Sequence, residues 1–156
     1  MKARTTVPGS VLSLSATLLT LALAVVVHFA ESGPSIIIFC AALMALFSAL
    51  WLWIRKTGNP VAMTAYGLLS LVPVIGFGVV NGFWNHLVKM LLFSLHGNQL
   101  PPPMAGLFSS PGFGSPVVET AGVLMFLSAM VAAVASARFV RGEREERKAA
   151  RANRRN

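Results

Sequence analysis

Few residues in this chain could do chemistry, and most of them crowd one stretch. The histidines are His28, His86 and His96; Lys89 lies between the last two, and Glu119 follows them. Imidazole, ammonium and carboxylate are the groups that bind metals, move protons and hold polar ligands. Asn81, Trp84 and Asn85 belong to the same stretch, Asn81-Gly82-Phe83-Trp84-Asn85-His86. His86 and His96 stand ten residues apart. On a continuous helix that is about 15 Å, too far for one metal. The spacing also misses the i,i+4 pattern of a helical metal pair. A metal or a haem would need one of them together with His28 and Glu119, and no haem-attachment or Cys-x-x-Cys motif is present. The sequence therefore assigns no metal ligand and no cofactor. It contains no Asp, so no Ser-His-Asp set can form, although Glu119 could stand in for the acid. Ser109, Ser110 and Ser115 lie in a proline- and glycine-rich stretch without nucleophile-elbow context.

The elements that must position these residues are membrane elements. The chain has 156 residues, 55% of them apolar and only 12% charged. That composition points to the bilayer as solvent and to one compact unit. Cys40 is the single cysteine and sits in an apolar run, where it reads as a small hydrophobe. Four stretches are long and apolar enough to cross, about residues 11–30, 36–54, 61–80 and 117–140. The first is too long for the apolar region of a cleaved signal peptide and lacks a small-x-small site, so a retained helix is expected. Glu31-Ser32-Gly33-Pro34 reads as a tight turn with Ser35 as the next cap, and Pro73, Gly76 and Gly78 predict a kink in the third span.

Residues 82–96 are too few to cross and too apolar for a loop. At about 100° per residue, Asn81, Asn85, His86, Lys89 and His96 fall within roughly 140° of arc. That pattern predicts an amphipathic helix lying flat in the outer interface, entered by a turn at Gly82. Residues 97–116, rich in proline and glycine, read as a constrained loop. The expected fold class is thus all-α, a polytopic membrane protein of four transmembrane helices plus one outer-face amphipathic interfacial helix. Residues 141–156 form a basic tail.

Charge sets the expected orientation. With the amino terminus inside, twelve of the thirteen Lys and Arg residues are cytoplasmic and only Lys89 is outside. The positive-inside rule then predicts a bacterial inner-membrane protein with both termini in the cytoplasm. His28, Asn81, Trp84, Asn85, His86, Lys89, His96 and Glu119 all fall at the outer face as a candidate polar cluster. Glu119, one turn into the fourth span, needs a partner at that depth, and a Glu119–Lys89 ion pair is the expected one. The net charge of +8 is explained by topology, so the tail is assigned to anionic lipid headgroups rather than nucleic acid.

The stretch Asn81-Gly82-Phe83-Trp84-Asn85-His86-x2-Lys89, then Leu95-His96-Gly97 and Pro116-x2-Glu119-x2-Gly122, is similar to a group of small uncharacterised bacterial membrane proteins. The resemblance covers the last half of the chain and implies weight on these positions without a mechanism. Three functions remain open. The first is a protein that binds or scaffolds, as a subunit of a membrane complex, a homo-oligomer, or a binder of lipid or quinone. It rests on small size, on the lack of a catalytic set and on the small-residue face Ser128-x3-Ala132-x3-Ser136. The second is a small transport or metal-handling protein using His28, His86, His96 and Glu119. The third is a lipid-modifying enzyme with Glu119 and His86 as acid and base.

Overall fold

The structure, a computed structural model, describes residues 7–97 and 115–153. All described elements are helices: α1 (Val7–Ser32), α2 (Pro34–Thr57), α3 (Pro60–Leu69), the π-helical segment π1 (Val72–Val88), α4 (Lys89–Leu95) and α5 (Pro116–Asn153). The segment Pro60–Leu95 is continuous, so four helical rods are long and apolar enough to cross a membrane. In this multi-pass arrangement α1 and the third rod run one way, and α2 and α5 run the other.

The connections follow from local chemistry. Gly33 alone makes the first turn, with φ +53°, a region that favours glycine, and Pro34 starts α2. Ser35 is therefore the second residue of α2 and not its cap. Gly58 ends α2 in the left-handed conformation, its N–H donating to the Ile54 carbonyl at 2.6 Å. Asn59 then caps α3, accepting from the Val61 N–H at 2.8 Å. Arg147 of α5 donates to the Thr57 carbonyl at 3.0 Å across the same turn.

Two expectations change. The residues expected as a separate interfacial helix, 82–96, are the final stretch of the third rod, with no turn at Gly82. Gly82 is needed for something else: a Cβ there would lie 2.8 Å from the Gly122 carbonyl oxygen and the Phe126 nitrogen. It lets π1 and α5 touch backbone to backbone, and an unbroken helix keeps every backbone group satisfied at membrane depth. The second change concerns the small residues of α5. Ser128, Ala129, Ala132, Ala135 and Ser136 are all buried within this one chain. They pack against α1 and π1 and do not present a free oligomerisation face. The described part of the basic tail, residues 141–153, is the helical continuation of α5.

The core is held in two ways. Tyr66 stacks edge-on between Phe47 and Phe139, with centroids at 5.4 and 5.7 Å. Around it runs a ladder of buried hydroxyls. The Ser13 hydroxyl hydrogen-bonds those of Tyr66 (2.9 Å) and Ser136 (2.8 Å), and higher up the Thr20 hydroxyl bonds that of Ser128 at 2.9 Å. Lipid supplies no hydrophobic force between helices, so such bonds and close packing hold α1 to α5. At the basic end the Trp51 indole donates to the Ser10 carbonyl at 3.0 Å and ties α2 to α1.

Candidate functional site

The third rod changes character at Pro73. Its ring removes a backbone donor, and from there to Val88 the helix is π-helical. Such segments are rare and mark functional sites more often than chance. Asn81 reinforces the wider coil by donating from Nδ2 to the Gly76 carbonyl five residues back, at 3.0 Å. Asn85 donates in turn to Asn81 Oδ1 at 2.9 Å. Both asparagines thus work within their own helix.

On the adjoining face of π1, Gly78, Gly82 and His86 form a stripe at four-residue spacing, and all three are buried. Added Cβ atoms on the two glycines would run into Ala129 and into the Gly122–Phe126 backbone. Where the glycines end, His86 begins. Its ring lies on Gly122, where a Cβ would overlap the imidazole. Its Nδ1 meets Glu119 Oε2 at 3.0 Å. With the carboxylate as acceptor, Nδ1–H is the donor of this bond. Glu119 and Gly122 are three residues apart on α5, so one helix face supplies both the floor and the acceptor.

Three ionisable groups are deeply buried here: His86, Lys89 and Glu119 keep 4%, 1% and 8% of their surface. Lys89 is the expected partner of Glu119, and the structure brings His86 to it at hydrogen-bond distance. Lys89, one turn on, feels the charges of Glu119 and Glu31. His28 completes the cluster from α1. Its Nδ1 is 3.6 Å from Glu31 Oε2, its ring stands 6.0 Å from that of Phe77, and it lies within electrostatic reach of His86. Its Nε2 is buried and has no hydrogen-bond partner among the described residues.

The eight expected site residues therefore divide. His28, His86, Lys89 and Glu119 come together at one end of the bundle, with Glu31 joining them. Asn81 and Asn85 lie along π1 and bond to it. Trp84 is 53% exposed and turned outward. His96 is exposed and bonded at Nδ1 to the Leu92 carbonyl oxygen at 2.9 Å, away from the cluster. The metal reading needed one of His86 and His96 together with His28 and Glu119, and His86 is the one placed beside them. Among the described residues no group of three His, Cys, Asp or Glu side chains could hold a metal ion. Gly122 was quoted in the sequence but not as the seat of His86; Glu119-x2-Gly122 with Gly78-x3-Gly82-x3-His86 was the signal for it.

No protein-family model, no curated protein and no solved structure matches the chain. The cluster has to be read from its own chemistry. It gathers a carboxylate, an amine and two imidazoles, all at least partly buried, at one end of an apolar bundle.

Proposed function

We propose that this chain is an inner-membrane protein, with both termini in the cytoplasm, that binds the hydroxyl-bearing head of a membrane-soluble amphiphile of lipid or quinol type. The head sits against His28, His86, Lys89 and Glu119, and the basic end of α5 meets anionic headgroups on the other side. The orientation is supported by charge: Lys89 is the one base among the spans at the cluster end, and the other Lys and Arg residues fall towards the opposite end or in the two terminal segments.

The observation that carries the reading is the unpartnered Nε2 of His28. Buried polar atoms are nearly always hydrogen-bonded, and leaving one bare costs about 1–3 kcal/mol. With its Nδ1–H turned towards Glu31, His28 presents a lone pair at Nε2 that a ligand hydroxyl would fill. Ionisable side chains at membrane depth mark ligand and proton sites by default. A scaffold role loses its main support, because the small-residue face of α5 is used up inside the chain.

Native mass spectrometry of the protein in membrane-derived nanodiscs tests this. The expected result is one stoichiometric amphiphile on the wild type, lost in His28→Phe and retained in His28→Gln, which keeps a polar tip. A bare protein, or the same adduct on His28→Phe, overturns the reading. A stoichiometric metal in the same sample would do so as well.

A further inference from the structure

The opposite end of the bundle carries a second feature, independent of the histidine cluster. A groove of about 440 Å³ runs between the third rod and α5. Gly67, Leu71 and Val74 form one wall, and Ala133, Ala137 and Val140 the other. The residues of each wall repeat at three or four positions, so each wall is one helix face, and small side chains leave the space open. The polar atoms inside are already used. Ser70 donates to the Gly67 carbonyl at 2.8 Å, and Ser136 is bonded to Ser13. The groove is therefore an apolar slot of the size range of ligand pockets.

At its mouth the α5 stripe continues as Arg141, Arg144 and Lys148, with Glu145 as the single acid. All four are exposed. Among the described residues, none of the three cations forms a hydrogen bond or ion pair, whereas neighbouring Arg147 is committed to the Thr57 carbonyl. Three uncommitted cations at the mouth of an apolar slot, where α5 leaves the membrane, match a phosphate joined to an acyl chain. Arg is suited to phosphate because its fork of donors meets two oxygens at once.

We propose that this groove is a seat for one anionic phospholipid, its phosphate on Arg141, Arg144 and Lys148 and an acyl chain between the two walls. A diffuse basic tail would attract a negative surface with no preference among its charges. A seat differs in two respects: it needs these three cations and not others, and it needs the slot beneath them.

The full chain in nanodiscs of equal phosphatidylglycerol and phosphatidylcholine, released and weighed by native mass spectrometry, separates the two. The wild type is expected to retain one phosphatidylglycerol. Combined Arg141→Gln, Arg144→Gln and Lys148→Gln should reduce its retention by on the order of tenfold or more. Combined Arg151→Gln, Arg154→Gln and Arg155→Gln removes the same charge farther along and should leave retention within about twofold of wild type. Ala137→Phe, which fills the slot and leaves every charge in place, should abolish retention. Equal loss in the two triple variants, or lipid retained on Ala137→Phe, overturns the seat in favour of diffuse attraction. Should the first triple variant fail to fold, the slot-filling variant and the distal triple decide alone.

Discussion

Two sides of α5 are held by opposite means. Against α1 it is joined by hydroxyls: Ser128 to Thr20 and Ser136 to Ser13. Against π1 it is joined by missing side chains, at Gly78, Gly82 and Gly122, and then by the His86–Glu119 contact that those glycines make room for. The hydroxyl side has slack. Each hydroxyl has a single hydrogen, and the one that donates across can turn it to its own helix, Thr20 to the Ala16 carbonyl or Ser128 to the Met125 carbonyl, so each retains a partner if the cross-helix bond is lost. The glycine side has none, because backbone atoms cannot rotate out of the way. Stability that rests on shape fails abruptly; stability that rests on replaceable hydrogen bonds fails by small steps.

Substitutions should reveal that difference, beginning with the largest effect. Gly122→Leu places carbon where the His86 ring lies, and Gly82→Leu places it against the Gly122 and Phe126 backbone. Each should cost about 3 kcal/mol or more, the top of the range for overpacking. Thermal unfolding in detergent reads the loss, and an unshifted midpoint would mean that the two backbones do not touch. Glu119→Ala comes next. It strands a buried imidazole N–H and should cost about 2 kcal/mol. Combined with His86→Phe, it should show a coupling of about 1 kcal/mol or more, whereas additive effects would mean the pair is not a working contact.

Ala132→Leu sharpens the comparison from the α1 side. Ala132 is fully buried within the chain, beside Ala16 and Val74. The larger side chain should destabilise the single bundle by about 1–2 kcal/mol, as overpacking does, with no change in oligomeric mass. A change in mass at unchanged midpoint would restore the idea that this face joins separate chains.

How much of this was legible beforehand depends on which signal each part leaves. Four crossings followed from length and apolarity, because each span declares itself within its own residues. The convergence of His28, His86, Lys89 and Glu119 at one end followed from their places near span ends. Three things were hidden. The helical period of residues 81–96 predicted an amphipathic helix, but periodicity cannot say whether the polar stripe faces water or a neighbouring helix; here His86 and Lys89 face the bundle. Gly82 looked like a hinge because a glycine at a composition change reads as a turn, whereas its lack of a side chain serves a close approach. The hydroxyls of Ser13, Thr17 and Thr20 lie on one helical face of α1, yet scattered hydroxyls in an apolar run do not identify their partners, Tyr66, Ser128 and Ser136. Which side chain answers which across a membrane is a tertiary fact.

The smallest effects belong to that hydroxyl ladder, and they test the slack attributed to it. Ser13 is its branch point, bonded to both Tyr66 and Ser136, so Ser13→Ala leaves two buried hydroxyls to find other partners. Interhelical bonds in membranes average about 0.6 kcal/mol and reach about 1.7, because polar groups there re-pair readily. Ser13→Ala should fall in the upper half of that range, at about 1 kcal/mol. Thr20→Val removes one cross-helix bond whose other partner, Ser128, still has the Met125 carbonyl, so it should cost about 0.6 kcal/mol or less. Unfolding midpoints of the two variants, measured in the same detergent, check the order. If Thr20→Val were as damaging as Gly122→Leu, the α1 side would be as rigid as the π1 side, and the distinction between replaceable bonds and unyielding shape would not hold for this bundle.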